Sequence, residues 1–185
     1  MQPIRAISLL TCLIYLQIFS LNCAGQSSPF VNIAIKSAGD STEFIIQRIR
    51  KEYASINADS AKYRVSSKNV FDMSTEGGEI KNYFEGEILR KSVVMFFGEI
   101  GKSYSEYYFS NNKIFFCYER ISSYNKPMYI KDLHILKVEE NRYYFENQKL
   151  IRWLDNSKKV VAKTLYADKE KKLLSIWKEA NQKAE

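Results

Sequence analysis

One aromatic phrase recurs along the chain and constrains the fold more than any other feature. Residues 107–114 read Tyr-Tyr-Phe-Ser-Asn-Asn-Lys-Ile, and residues 143–150 read Tyr-Tyr-Phe-Glu-Asn-Gln-Lys-Leu. A shorter version occupies residues 82–88. In each copy, strand-forming residues run into a turn whose Asn or Gly tolerates the positive φ that tight hairpins require. These hairpins predict an antiparallel meander of about six to eight strands between residues 62 and 155.

The phrase at residues 107–114 also predicts a register. A two-residue loop at its centre gives the following cross-strand pairs: Phe109 with Ile114, Tyr108 with Phe115, Tyr107 with Phe116, and Glu106 with Cys117. Aromatic residues then occupy both faces of the sheet. Because a sheet with one solvated face would alternate apolar and polar residues, we expect a layer of structure to cover each face at least partly.

Two segments with helical spacing can supply those layers. Asp40 and Glu43 have the spacing of a helix N-cap and its capping box. The apolar residues that follow at intervals of three or four are Ile45, Ile46, Ile49, Tyr53 and Ile56. After Asp168, a second stripe contains Leu173, Leu174 and Trp177.

The expected fold is therefore α+β. An N-terminal amphipathic helix and a C-terminal helix pack on a curved antiparallel β-meander. In this interpretation residues 40–185 form a single domain, and residues 26–39 are a tether in front of it.

The first 25 residues have the three-part layout of a secretory signal peptide. Arg5 precedes residues 6–21, which carry no charge, and residues 22–26 end the apolar pattern. This apolar block is shorter than the roughly 20 residues of a membrane-spanning helix. Residues 1–25 are expected to direct export.

Cys23 leaves two routes of processing open. Cleavage after Gly25 would discard the cysteine and release a soluble periplasmic or secreted protein. Cleavage before Cys23 would keep the thiol for lipidation and anchor the protein to the outer membrane, although residues 20–22 depart from the usual lipobox.

Charge and cysteine content narrow the range of functions. Loss of Arg5 with the signal lowers the net charge from +7 to +6, and the remaining positive residues are scattered. Since the protein is expected outside the cytosol, nucleic acid is not an expected partner. Cys117 is then left without a disulfide partner, and its apolar strand predicts a buried core residue rather than a nucleophile. With His134 as the one histidine, no metal and no cofactor are expected.

Glu106 and Glu119 are weak candidates for catalysis. The predicted register puts them on the same face as diagonal neighbours, roughly 7 Å apart. That separation lies within the general range of the paired carboxylates of glycosidases. Two solvated glutamates at the rim of a sheet are the more common arrangement.

A binding surface is the other possibility that the residues leave open. The chain has 13 tyrosines and 11 phenylalanines, and a tyrosine combines an apolar ring with a polar hydroxyl that suits contact with carbohydrate or peptide. Candidates on the best-defined hairpins are Tyr107, Tyr143, Arg152 and Trp153. The same residues would equally suit a core.

Several short segments of the chain, taken together, resemble segments of other proteins. Among them are residues 49–53 (Ile-Arg-Lys-Glu-Tyr), 74–79 (Ser-Thr-Glu-Gly-Gly-Glu) and 98–102 (Gly-Glu-Ile-Gly-Lys). Over about residues 45–155 the chain resembles a group of bacterial exported proteins. The resemblance implies an envelope location and a single domain, and it brings no activity or ligand with it.

The expected function is that of a non-enzymatic binding or interaction module of the bacterial envelope, with a protein or glycan partner. Contact with a membrane is expected only through a lipid on Cys23. The alternatives are a hydrolase that acts on an envelope polymer through paired carboxylates, and a periplasmic inhibitor or immunity protein.

Overall fold

The computed structural model describes residues 37–184, which form an open antiparallel sheet with a helix before it and a helix after it. The helices are α1 (Ser37–Ala58) and α2 (Tyr166–Gln182). The strands are β1 (Arg64–Val70), β2 (Gly78–Glu85), β3 (Ile88–Gly98), β4 (Gly101–Ser110), β5 (Lys113–Tyr124), β6 (Ile135–Glu146) and β7 (Lys149–Leu154). Sheet order follows chain order from β1 to β7, and each neighbouring pair is antiparallel. The predicted α+β meander is confirmed.

The start of α1 differs from the prediction. The helix begins at Ser37, so Asp40 lies within it and is not its N-cap. Residues 37–39, which were assigned to the tether, are therefore helical. The predicted signal peptide, Cys23 and the rest of the tether lie outside the described residues. Within the described part of the chain, neither helix has the length and apolar character that crossing a membrane requires.

The three predicted hairpins are present, and their turns need left-handed backbone. Asn111 and Asn112 have φ of 50° and 59°, Asn147 and Gln148 have φ of 50° and 65°, and Gly86 has φ of 61°. Asparagine and glycine adopt this region at low cost, whereas glutamine does not. Gln148 is therefore the strained position among the three turns.

Replacement of Gln148 by glycine should stabilise the protein. Glycine removes the left-handed strain but loses more entropy on folding, so the expected net gain in the free energy of unfolding is about 0.5–1 kcal/mol. Urea unfolding of Gln148→Gly measures this gain. Gln148→Val is the control with the opposite expected sign, because a β-branched residue is disfavoured at positive φ and should lower the stability. A lower stability of the glycine variant would contradict this account of the turn.

Each hairpin also contains a register shift at the same place in the repeated phrase. The shifts fall between Tyr83 and Phe84, between Tyr108 and Phe109, and between Tyr144 and Phe145. In each case the strand after the turn carries one extra residue, as in a β-bulge. The repeated phrase therefore encodes a bulged hairpin rather than a regular one.

Because of the bulge, the observed pairing of β4 with β5 differs from the predicted register. Phe109 pairs with Ile114 as expected, but Tyr108 pairs with Phe116, Tyr107 with Cys117, and Glu106 with Tyr118. The prediction was right next to the turn and wrong by one residue beyond the bulge. A shift of one residue moves every later side chain of β5 to the opposite face.

The expectation that structure covers both faces is confirmed. On one face, Tyr107, Cys117 and Tyr143 pack in a core cluster that includes Leu173 and Ala180 of α2. We call this the α2 face. On the α1 face, Tyr108, Phe116 and Tyr144 pack with Ile46, Ile49 and Ile56 of α1. Apolar burial on both sides is the main source of stability for a chain whose described cysteine is free.

Cys117 lies in the core of the α2 face and is 0% exposed. Burial raises the pKa of its thiol well above the usual value, and the nearby Glu119 carboxylate raises it further. A thiol that is buried and protonated is a poor nucleophile. The interpretation of Cys117 as a core residue is supported.

Candidate functional site

The four predicted contact residues do not share a surface. Tyr107 and Tyr143 are 0% exposed and belong to the core of the α2 face. Trp153 packs against that same core, and its indole N–H donates to Asn141 at 2.9 Å. Arg152 pairs with Tyr144 on the α1 face and forms an ion pair with Glu43 of α1. Tyr107, Tyr143 and Trp153 are thus part of the core on the α2 face, and Arg152 points to the opposite face because successive strand residues alternate, so the four residues do not form one exposed surface.

Glu106 and Glu119 are also separated by the sheet. Glu106 pairs with Tyr118, whereas Glu119 pairs with Ser105, so the bulged register places the two carboxylates on opposite faces. The expected same-face pair at roughly 7 Å does not exist. A mechanism in which these two carboxylates flank one glycosidic bond has no geometric basis in this fold.

Glu119 is buried under α2. Its carboxylate accepts a hydrogen bond from the Tyr143 hydroxyl at 2.7 Å and lies 2.9 Å from the Lys169 ammonium. Glu119 is 7% exposed, and the Lys169 side chain is 16% exposed. The Lys169 ammonium also lies over the ring of Tyr143, 4.9 Å from its centroid. This ion pair links the centre of the sheet to α2.

Glu106 occupies the equivalent position on the α1 face. Its carboxylate accepts hydrogen bonds from the Lys91 ammonium at 2.8 Å, the Tyr104 hydroxyl at 2.6 Å and the Tyr108 hydroxyl at 2.7 Å. Burial alone would raise the pKa of Glu106, but these three donors outweigh it and hold the pKa below its usual value. Glu106 is therefore an ionised acceptor and not a proton donor at neutral pH.

A cavity of about 520 Å³ lies beside Glu106, between α1 and the sheet. Its lining comes from α1, β4, β5 and β6 and consists of Ile49, Arg50, Tyr53, Glu106, Phe116, Tyr118, Glu140, Arg142 and Tyr144. The volume falls in the range of small-molecule binding sites.

A second cavity of about 320 Å³ continues on the other side of Tyr118. It is lined by Lys102, Tyr104, Tyr118, Arg120, Ser122 and Ile135. Tyr118 lines both cavities, so the two lie next to each other along β5 between Phe116 and Ser122. Six residue steps of a strand span roughly 20 Å. We call the two cavities together the aromatic groove.

The carboxylates of the aromatic groove already have partners. Glu106 is paired with Lys91, and Glu140 lies 3.1 Å from the Arg142 guanidinium. Burial and the neighbouring Glu140 carboxylate, a hydrogen-bond acceptor, raise the pKa of Tyr118 to about 12, so its hydroxyl stays protonated. The Arg142 guanidinium also lies over the Tyr118 ring, 5.4 Å from its centroid.

Several cations of the groove have no such partner. Arg50, Arg120 and Lys102 are exposed, and none of them forms an ion pair with a described residue. Arg120 lies opposite Glu140 in the sheet and helps to lower the pKa of that carboxyl, but it makes no direct contact with it. In addition, Nη1 of Arg142 is buried without a hydrogen-bond acceptor among the described residues. The groove therefore offers aromatic surfaces together with an excess of positive charge.

The sequence contained a signal for this groove that the predicted register concealed. In the observed pairing, Tyr104 is opposite Arg120 and Tyr118 is opposite Arg142. Alternate residues of β4, β5 and β6 thus combine tyrosines with charged groups on the α1 face. With the correct bulge, the same alternation identifies the groove.

No protein-family model matches the chain, and neither the curated proteins nor the solved structures contain a significant match to it.

Proposed function

We propose that this chain is an exported, non-enzymatic binding module of the cell envelope, and that it holds an acidic oligosaccharide in the aromatic groove. The observation that carries the proposal is the combination of tyrosine rings with three unpaired cations in a groove whose carboxylates are already engaged. Export is supported by the pattern of residues 1–25.

The rings favour a carbohydrate as the ligand. A sugar presents flat patches of C–H groups beside hydroxyls, and tyrosine offers the matching combination of an apolar ring and a polar edge. Tyr104 and Tyr118 are only partly buried, so their rings are accessible from the groove. The length of the groove, roughly 20 Å, suits a chain of sugars better than a single ring.

The charges favour an acidic ligand. Arg50 and Lys102 supply positive charge and form no ion pair with a described side chain, and Arg120 adds a third cation that shares Glu140 with Arg142 without contacting that carboxylate. Arginine binds carboxylate and phosphate groups with two parallel hydrogen bonds, which adds geometric specificity to the attraction. A uronic acid or another acidic sugar would satisfy both the rings and the cations.

The surroundings of the carboxylates support binding rather than catalysis. A glycosidase needs one carboxyl group with a raised pKa to act as the general acid. The hydrogen bonds to Glu106 hold its pKa down instead, and Glu119 lies on the other face. Both carboxylates accept hydrogen bonds from neighbouring side chains and so hold those side chains against the sheet.

Isothermal titration calorimetry tests this function on the protein in the form that its cells export. The acidic probe is tetragalacturonate, and the neutral probe of equal length is maltotetraose. We expect the acidic probe to bind at least tenfold more tightly, since each charge-assisted hydrogen bond contributes about 1.5–3 kcal/mol. Arg120→Met and Tyr118→Ala should each weaken binding by about tenfold or more.

Arg64→Met is the matched control. Arg64 also lies over an aromatic ring, that of Phe84, but both residues are on the α2 face and neither lines the groove. Its replacement should leave the affinity unchanged. Equal loss in the control and groove variants, equal affinity for the two probes, or hydrolysis of the acidic probe would each contradict the proposal.

A further inference from the structure

Glu140 lies in the middle of the aromatic groove, between two arginines. It is opposite Arg120 of β5 in the sheet and two residues from Arg142 on β6. Its carboxylate lies 3.1 Å from the Arg142 guanidinium, and its side chain is 35% exposed. A hydrogen bond from the Tyr118 hydroxyl, followed by the two guanidinium groups, holds the pKa of Glu140 below its usual value. Glu140 therefore presents a negative charge to the groove at neutral pH.

This carboxylate is held in place from two sides. The Glu140 N–H donates to the side-chain oxygen of Asn156 at 3.0 Å, which ties this part of β6 to the segment after β7. Nη2 of Arg142 faces the carboxylate, while Nη1 has no acceptor among the described residues. Glu140 thus occupies the place beside Arg142 that a carboxylate of the ligand would otherwise take. An acidic group of the ligand in the middle of the groove would be repelled by the like charge of Glu140.

The cations without a partner lie at the two ends of the groove. Lys102 is opposite Ser122 at one end, and Arg50 lies over the ring of Tyr144, 5.9 Å from its centroid, at the other end. Neither forms an ion pair with a described side chain. Tyr144 is opposite Phe116, so the two ends are six residue steps of β5 apart, roughly 20 Å. Acidic groups of a ligand are therefore attracted most strongly at the ends.

We propose that Glu140 is a specificity-determining residue of the aromatic groove, which keeps acidic sugars out of the middle and leaves that place to a neutral sugar. The inference rests on the proposed function and narrows its ligand. Ionised carboxylates accept hydrogen bonds from hydroxyl groups, so Glu140 suits a neutral sugar as well as it opposes an acidic one. The ligand class is then an oligosaccharide whose acidic units are separated by neutral units, and not a run of consecutive uronic acids.

Isothermal titration calorimetry with two acidic probes of equal length tests this inference. One probe is tetragalacturonate, and the other is tetragalacturonate whose two central carboxylates are methyl esters. The parent protein should bind the diester at least as tightly as the tetra-acid. Glu140→Gln should raise the affinity for the tetra-acid about fivefold to tenfold, because Arg142 no longer has an internal carboxylate beside it. The affinity for the diester should change by less than about twofold.

Glu139→Gln is the matched control, since it makes the same change in the neighbouring residue. The Glu139 side chain is 43% exposed, is paired with Lys137 and points to the opposite face of the sheet. This variant should bind both probes like the parent protein.

Three results would overturn the inference while the proposed function stands. They are a preference of the parent protein for the tetra-acid over the diester, a gain in Glu140→Gln that is absent or equal for the two probes, and the same gain in Glu139→Gln. The proposed function is tested separately by maltotetraose. If the parent protein binds neither acidic probe more tightly than maltotetraose, the proposed function fails and this inference fails with it.

Discussion

Lys169→Ala is expected to reduce the free energy of unfolding by about 3–5 kcal/mol, the usual cost of leaving one partner of a buried ion pair uncompensated. Without the ammonium group, the Glu119 carboxylate keeps only the Tyr143 hydroxyl as a described side-chain partner. Glu119 is 7% exposed, so water can replace the lost donor only by opening the contact between α2 and the sheet. Urea or thermal unfolding measures the loss.

Two further variants show whether this loss comes from the unpaired charge. Glu119→Gln/Lys169→Met removes both charges and should recover most of the stability that the single change loses, because no buried charge is left unpaired. Lys171→Ala changes an exposed lysine on the same helix and should stay within about 0.5 kcal/mol of the parent protein. A double variant no more stable than Lys169→Ala would show that the loss arises from packing.

The second large effect is expected on the other face of the sheet. Glu106→Gln removes the negative charge that accepts bonds from Lys91, Tyr104 and Tyr108. The amide keeps one acceptor oxygen, so we expect a loss of about 2–3 kcal/mol at neutral pH. Chemical unfolding at pH 7 measures this difference.

The same substitution should change the dependence of stability on pH. The pKa of Glu106 is lower in the folded protein than its usual value, so the folded state binds the proton less readily than the unfolded chain. The stability contributed by this group is complete above the unfolded pKa of about 4.3 and is lost as the pH falls through the lower, folded pKa. The advantage of the parent protein over Glu106→Gln should therefore shrink below about pH 4.5.

Glu87→Gln is the control for this pH series, since the Glu87 side chain is 94% exposed. Its stability should run parallel to that of the parent protein. A difference between the parent protein and Glu106→Gln that stays constant from pH 7 to acid would contradict the assigned role of the carboxylate.

Much of the fold was accessible from the sequence because the signals are local. The turn residues at 111–112 and 147–148 predict hairpins wherever they occur between strand-forming residues, and the apolar stripes predict the two helices. The start of α1 was predicted less well, since Asp40 and Glu43 match a capping pattern that the longer helix does not use. Helix ends are set by neighbouring structure as much as by the capping residues.

The register could not be obtained from the turn alone. A bulge adds one residue to a strand without changing the composition of the hairpin, yet it transfers every later side chain to the other face. That single residue separates Glu106 from Glu119. The phrase does carry a clue, because consecutive aromatic residues such as Phe115 and Phe116 can both be buried when one of them occupies the bulge.

Even with the correct register, the sequence would identify only the residues on the strands of the groove and not the cavity itself. Its walls come from α1 and three strands, and it exists because α1 covers only part of the sheet face. No local pattern records how far a helix extends over a sheet. Tyr107 and Tyr143 were predicted as contacts because they lie on the best-defined hairpins, but their neighbours Tyr108 and Tyr144 are the residues on the face that contains the groove.

The central claim, that the aromatic groove binds an acidic oligosaccharide, is tested most directly by hydrogen exchange measured by mass spectrometry with and without tetragalacturonate. We predict slower exchange confined to the segments that form the groove, namely residues 49–53, 102–106, 116–122 and 140–144. Tyr118→Ala should abolish this protection, and maltotetraose should not produce it. Unchanged exchange in these segments at a saturating concentration of the acidic probe, or protection confined to the α2 face, would contradict the claim.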